Sequence, residues 1–270
     1  MPIELPLLIE PNDLADKLNQ PELVIIDLCS ETNYLRGHIP GAVHVSPKEL
    51  MRGEPPAIGR LPAIIQLQQL FSRLSLNEDK HVVVYDDEGG GWAGRFIWTL
   101  DVIGHRHYSY LNGGLYAWAG SKLPLETTVN QPIATNYEVT IDTTPIAEID
   151  DILPYLNNSD SKQVIWDARS PAEFSGNKVL AAKGGHIPGA INCEWTELMD
   201  REKAWRIRTD ASEFLAGKGI TSDKEIITHC QSHHRSGFTY LVGKVLGLSI
   251  RGYHGSWSEW GNHPDTPVER

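Results

Sequence analysis

One hexapeptide, GHIPGA, occurs twice in this chain, at residues 37–42 and 185–190, and the signals around each copy come in the same order. Each is preceded by an apolar run that ends in an aspartate, LVIID with Asp27 and QVIWD with Asp167. Each has an aromatic residue seven positions beyond that aspartate, Tyr34 or Phe174, and the second copy carries eight extra residues before its GHIPGA. Further on, HVVVYDDEGGGWAGRFIWTLDVIG lines up with EIITHCQSHHRSGFTYLVGKVLG, and LNGGLYAW with GYHGSWSEW. A repeat of this extent means that whatever fold one half takes, the other must take too. Each copy reads as strand, turn, strand, helix, strand, loop, helix, strand and final helix. That alternation predicts an α/β fold built twice, each copy a parallel sheet with helices on both faces. A chain of 270 residues has room for two domains of ordinary size. They are expected at 1–124 and 145–270. Between them the polar stretch Leu125 to Thr144, with Pro132 and no helical period, reads as a linker.

The two copies part company at one loop. In the second, the β-branched run Ile226 to Thr228 predicts a buried strand. Phe238, Leu241, Val242, Val245 and Leu246 follow at the spacing of one apolar helix face. Cys230, Gln231, Ser232, His233, His234, Arg235 and Ser236 lie between. A thiol that leaves a strand and faces a helix N-terminus meets unpaired backbone N–H groups and the positive end of the dipole. That setting favours the thiolate, which is the reactive form. His233, His234 and Arg235 add positive charge, and no Asp or Glu occurs from Ile226 to Ser258 although the chain carries a net charge of -11. In the first copy Asp86 stands where Cys230 stands, followed by Asp87, Glu88 and three glycines. Three carboxylates would repel an anion, so that domain is expected to be non-catalytic. Ligands on such sheets bind beyond the carboxyl ends of the strands, which is where Cys230 falls.

Composition narrows the class of partner. The chain is 40% apolar and 22% charged, and no run approaches the ~18 apolar residues that cross a membrane. MPIELPLLIEPNDL has no basic start and is broken by Pro6 and Pro11, so it does not read as a signal peptide. Three cysteines, Cys29, Cys193 and Cys230, with no CxxC argue against a disulfide framework and for a cytoplasmic setting. The acidic balance disfavours nucleic acid and anionic membrane as partners. An anionic substrate would need a local positive site.

The Asp-x-Arg-Ser segment, GHIPGA, the cysteine-headed loop and GS-W-x-x-W, present twice in order with one cysteine loop, resemble the tandem-domain rhodaneses. These are the thiosulfate sulfurtransferases, and the loop is similar to that of bacterial members reading CQ-x-HHRS. The resemblance spans nearly the whole chain. It implies a structural first domain, a catalytic second domain and a site near their interface. Cys230 would accept sulfur, the backbone N–H groups of Gln231 to Ser236 would hold it, and Arg235 would bind the sulfonate of the donor. Asp167 and Arg169 would be orienting groups beside the loop. Glu173 stands where several relatives carry arginine, and Gln231 and Ser232 replace the Arg-Lys or Gly-Ser of vertebrate-like loops.

Sulfane sulfur transfer is two-step nucleophilic catalysis through a Cys230 persulfide, from thiosulfate to cyanide or a thiol acceptor, with sulfur-accepting proteins as further partners. It requires neither a metal nor an organic cofactor. A 3-mercaptopyruvate donor is the alternative within the family. A cysteine phosphatase is a rival, but C-x4-R is one residue short of the phosphatase loop. A zinc site from His229, Cys230, His233 and His234 lacks a second ligand pair. A non-catalytic binding module fits the first domain better than the second. Cys29 and Cys193 read as buried small hydrophobes. His38 and His186 are expected to bond backbone at a turn, and Trp118, Trp257 and Trp260 to pack the final helices. Trp195 is a candidate pocket wall.

Overall fold

The computed structural model describes residues 3–157 and 162–270. Met1 and Pro2, the start of the N-terminal stretch read above, lie outside them. The first domain runs β1 (Leu8–Ile9), α1 (Pro11–Ala15), β2 (Leu23–Asp27), α2 (Glu31–Arg36), β3 (Val43–His44), α3 (Ile64–Arg73), β4 (His81–Tyr85), α4 (Gly91–Val102), β5 (Tyr108–Leu111) and α5 (Gly114–Gly120). The second runs β6 (Ile146–Ala147), α6 (Ile149–Ile152), β7 (Gln163–Asp167), α7 (Pro171–Phe174), β8 (Ile191–Asn192), a β9–β10 hairpin (Met199–Asp200, Arg206–Ile207), α8 (Ala211–Gly217), β11 (Glu225–His229), α9 (Arg235–Val245), β12 (Ser249–Tyr253) and α10 (Ser256–Trp260). The sheet orders are β1-β5-β4-β2-β3 and β6-β12-β11-β7-β8, the same topology twice, and every pairing within them is parallel.

Central strands of a sheet covered on both sides must be apolar throughout, and β4 (HVVVY) is buried at every position. Alternate residues serve different cores because successive side chains point to opposite faces. Ile25 and Val83 join Trp118 on the outer face of the first sheet, and Ile165 and Ile227 join Trp257 and Trp260 on that of the second. Ile26, Val84 and Trp98 from one domain and Trp166, Ile226 and Phe238 from the other belong to a single cluster that runs through the interface. Each such side chain stabilises the fold by roughly 1.5–3 kcal/mol.

The interface is a helix crossing. A Cβ on Gly94 of α4 would overlap the carbonyl of Gly237 in α9, and one on Gly237 would press on the Arg95 backbone. Only glycine permits that approach. Arg60 ties the domains again, pairing with Glu148 and Glu259, each at 2.7 Å.

The GHIPGA repeats behave as expected of turns. His38 and His186 bond the carbonyls of Tyr34 (2.7 Å) and Phe174 (2.9 Å) and stack on those same rings. Trp118 and Trp260, in the last helices, are fully buried and donate their indole N–H to Pro124 and Pro267. The stretch Leu125 to Thr144 has no helix, and its backbone is laid along the first domain. Glu126 bridges to His38, Thr135 N–H donates to the Ser72 carbonyl, and Asp142 N–H to that of Val102. It is a strap rather than a loose tether. The strands β1 and β6 and the hairpin were not read from the sequence, since two-residue strands carry no period to detect.

Candidate functional site

The loop that follows β11 turns through His233, which sits in the left-handed region at φ 56°, before α9 starts at Arg235. This turn aims the helix N-terminus at Cys230. Ser236, in the first turn of α9, turns its hydroxyl and its backbone N–H toward the Cys230 sulfur. Burial alone would push that thiol up, but the Arg235 charge, the two Ser236 hydrogen bonds and the His234 charge outweigh it and hold it below its ordinary value. The other cysteines are different. Burial, reinforced by Asp27, Asp87 and Asp86, raises Cys29 far out of the titratable range, and burial with Glu197 pushes Cys193 up to about 12. All three are free and buried, yet only Cys230 is held toward the thiolate.

The expectation of a loop without carboxylates holds along the chain but not in space. Arg235 makes a bidentate pair with Glu173 of α7, at 2.7 and 2.8 Å. Burial raises Glu173, but Arg235 and Ser170 overcome that and hold it down at about 2. His234 hydrogen-bonds Glu88 of the first domain and stacks on Trp92, with ring centroids 4.1 Å apart. Both acids come from elements far away in sequence, and both meet the two side chains read there as free positive charge.

The remaining candidate residues fall into place around this core. Gln231 donates to the Leu180 carbonyl (3.2 Å), in the insertion that the first copy lacks. The Ser232 backbone packs on Gly59 of the first domain, so closely that a Cβ there would overlap its carbonyl. His233 is fully buried, with Nδ1 2.8 Å from the Ser236 hydroxyl. Trp195 is half-buried, its ring 5.6 Å from His234 and 6.2 Å from Phe238. Asp167 and Arg169 form a buried pair at 2.6 Å, with Arg169 also donating to the Gly185 carbonyl and resting over Trp257. Asp167 reaches the loop through His229, 3.7 Å away, which burial keeps neutral. Among the described residues no group of three or more His, Cys, Asp or Glu could hold a metal ion, and no helix is long and apolar enough to cross a membrane.

The rhodanese-like domain model matches residues 10–121 and 154–263, one match on each half of the duplication. The chain belongs to the rhodanese family. It is 57% identical to a thiosulfate sulfurtransferase of Pseudomonas aeruginosa and 56% to one of Azotobacter vinelandii, over 98% of this chain and 98% and 97% of theirs. It is 32% identical to the 3-mercaptopyruvate sulfurtransferase of Escherichia coli, over 95% of both chains. The crystal structure of Escherichia coli SseA, whose rhodanese fold and 3-mercaptopyruvate sulfotransferase mechanism have been described, superposes with a TM-score of 0.81 over 94% of this chain and 99% of that one, at 28% identity.

Glu88 and Trp92 join this rhodanese site from the first domain and went unread as members of it. Glu173, noted in the sequence only as standing where several relatives carry arginine, joins it as the partner of Arg235. The one local signal was Ser-x-x-Glu at Ser170 to Glu173, which predicts a capping box. The box forms, with Ser170 Oγ 2.7 Å from Glu173, yet the same carboxylate also takes both nitrogens of Arg235.

Proposed function

We propose that the chain is a thiosulfate:cyanide sulfurtransferase that works through a persulfide on Cys230. The observation that carries this reading is a single buried cysteine held toward the thiolate by the first turn of α9, where the two other cysteines are pushed the opposite way. The thiolate attacks the outer sulfur of thiosulfate. The S–S bond of the donor breaks, sulfite leaves with that electron pair, and a cysteine persulfide remains. Cyanide or a thiol then attacks the outer sulfur and releases the thiolate, with thiocyanate or a new persulfide as product. Both the donor and the intermediate are anionic, which suits fixed N–H donors and a guanidinium in a dry site.

Each residue then has a task. Ser236 and the backbone N–H groups of the Gln231 to Ser236 turn hold the sulfur. Arg235, anchored by Glu173, supplies charge to the thiolate and faces the donor's sulfonate with what its ion pair leaves free. Asp167 and Arg169 set the strand end from which Cys230 departs, and Trp195 forms a wall. The scheme uses no metal and no organic cofactor. A protein thiol is a suitable acceptor, and a reducing cytoplasm is the setting that fits three free cysteines. Thiosulfate is preferred over 3-mercaptopyruvate as donor because the relatives named for it are much more similar to this chain.

Intact mass tests the scheme. Thiosulfate should add one sulfur, about 32 Da, and cyanide should remove it. Cys29→Ala and Cys193→Ala should behave like the parent, and Cys230→Ala should gain nothing. An increment that survives in Cys230→Ala would sink the assignment.

A further inference from the structure

The helix α4 reads GWAGRFIWTLDV, every residue from Ala93 to Val102 is buried, and Arg95 is the one cation among them. Arg95 follows the glycine that meets Gly237, so it stands across the interface from the first turn of α9. Its side chain is fully buried (0% exposed). One nitrogen donates to the Leu50 carbonyl at 2.7 Å and the guanidinium lies 4.5 Å over Trp98. Nε and Nη1 have no hydrogen-bond partner among the described residues. A buried cation with two unused donors is costly, and arginines are rarely found that way. Its field falls on Cys230, His233 and His254.

His233 is the informative neighbour. It is wedged against Trp98, ring centroids 4.6 Å apart, and fills the space a Cβ on Gly252 would take. Nδ1 meets Ser236 Oγ, while Nε2 has no partner among the described residues. Burial first, and then the Arg95 charge, keep this imidazole neutral, and the histidines that face it are His254, His229 and His234. A neutral ring has two tautomers. With the proton on Nε2, Nδ1 would accept the Ser236 hydroxyl proton, and the Cys230 sulfur would lose a donor. With the proton on Nδ1, His233 donates to Ser236 Oγ and the hydroxyl proton is free for the sulfur. The second arrangement also leaves a lone pair, rather than another buried N–H, on the unpartnered nitrogen in the field of the cation.

We propose that Arg95 is a positioning residue for sulfur transfer: from the domain without the cysteine it fixes the His233 tautomer, so that Nδ1–H donates to Ser236 Oγ and the Ser236 hydroxyl donates to Cys230. This rests on the sulfurtransferase reading for its purpose, but its tests read His233 and Cys230 directly. In the full-length protein labelled with 15N-histidine, NMR should show His233 protonated at Nδ1 and bare at Nε2 throughout neutral pH. The reverse tautomer would overturn the proposal without any variant. Arg95→Met should shift the pH profile of Cys230 alkylation by iodoacetamide upward and lower kcat roughly tenfold, the loss of one hydrogen bond to a charged group, with KM little changed. Arg95→Lys should recover part of both. A folded Arg95→Met with an unchanged alkylation profile overturns the proposal. Normal alkylation shifts in a protein that never turns over thiosulfate would instead count against the functional reading.

Discussion

Two loops of equal length, Asp86 to Gly90 and Cys230 to His234, leave matching strands and enter matching helices, yet they use the same turn in opposite ways. In the first domain the Asp86 carboxylate takes the N–H groups of Glu88, Gly90 and Ala93 at 3.2, 2.8 and 3.0 Å. The cradle is occupied by a side chain of the chain itself. In the second domain the sulfur of Cys230 takes the N–H and hydroxyl of Ser236, and a sulfur can accept another sulfur. A strand-to-helix turn collects N–H donors whatever its sequence. What decides chemistry is whether the anion seated there is inert or nucleophilic, and which charges stand behind it.

The largest effect should come from exchanging the occupants. Asp86→Cys in a Cys230→Ala background places a thiol on the N–H groups of the first loop, with Asp87 and Glu88 beside it. No persulfide is expected in the intact mass after thiosulfate, and transfer should stay at least roughly a thousandfold below the parent, as for other lost nucleophiles. A gain of one sulfur there would break the comparison, since the cradle alone would then suffice.

Next in size is the charge behind the sulfur. Arg235→Ala leaves Glu173 buried without its partner, which should cost roughly 3–5 kcal/mol of stability. It should also move Cys230 alkylation to higher pH. Arg235→Ala combined with Glu173→Ala should recover much of the melting temperature but not the alkylation profile or sulfur transfer. Equal melting temperatures for the single and double variants would mean that the pair is not the anchor of the loop.

The two loops should also oppose each other in pH dependence. Burial, with Glu88 adding to it, raises Asp86 to about 6 against the three N–H bonds. Its native form therefore binds more protons than the unfolded chain, and its contribution is fully present below about pH 4 and lost as pH rises through 6. Glu173, held at about 2, does the reverse. Its contribution is present above about pH 4.5 and lost as pH falls toward 2, a matter of about 3 kcal/mol at most. Urea midpoints between pH 2.5 and 8 should show Asp86→Asn flattening the upper window and Glu173→Gln the lower. The same slope in both windows for either variant would contradict these signs.

The smallest effect concerns the carboxylate that the first domain lends to the second. Glu88 is a third exposed, so its field is partly screened. Glu88→Gln should raise kcat/KM for thiosulfate about twofold at low ionic strength, and the gain should fade with added salt. No change at low salt would place the first loop electrically outside the site.

Much of this was legible in the sequence, because it is local. A repeat fixes topology twice, and a strand, the seven residues Cys230 to Ser236 and an amphipathic helix place Cys230 at a helix N-terminus. What escaped was brought in by packing. Glu173 lies on α7, and Glu88, Trp92 and Arg95 belong to the other domain, so the absence of acids from Ile226 to Ser258 described the chain but not its surroundings. Arg235 looked free for the same reason. Arg95 follows Gly94 as Phe238 follows Gly237, and nothing in a one-dimensional pattern tells a buried cation from one that reaches solvent.

The glycine crossing of α4 and α9 has a consequence for how reactants come and go. Hinge opening, the usual route by which two-lobed enzymes admit substrate, would part Gly94 from Gly237 and Gly59 from Ser232, and would take Glu88 of the first domain away from His234 in the loop that carries Cys230. Reactants should therefore reach Cys230 without the two domains parting. Sulfur should arrive and leave with the two lobes clasped throughout the turnover.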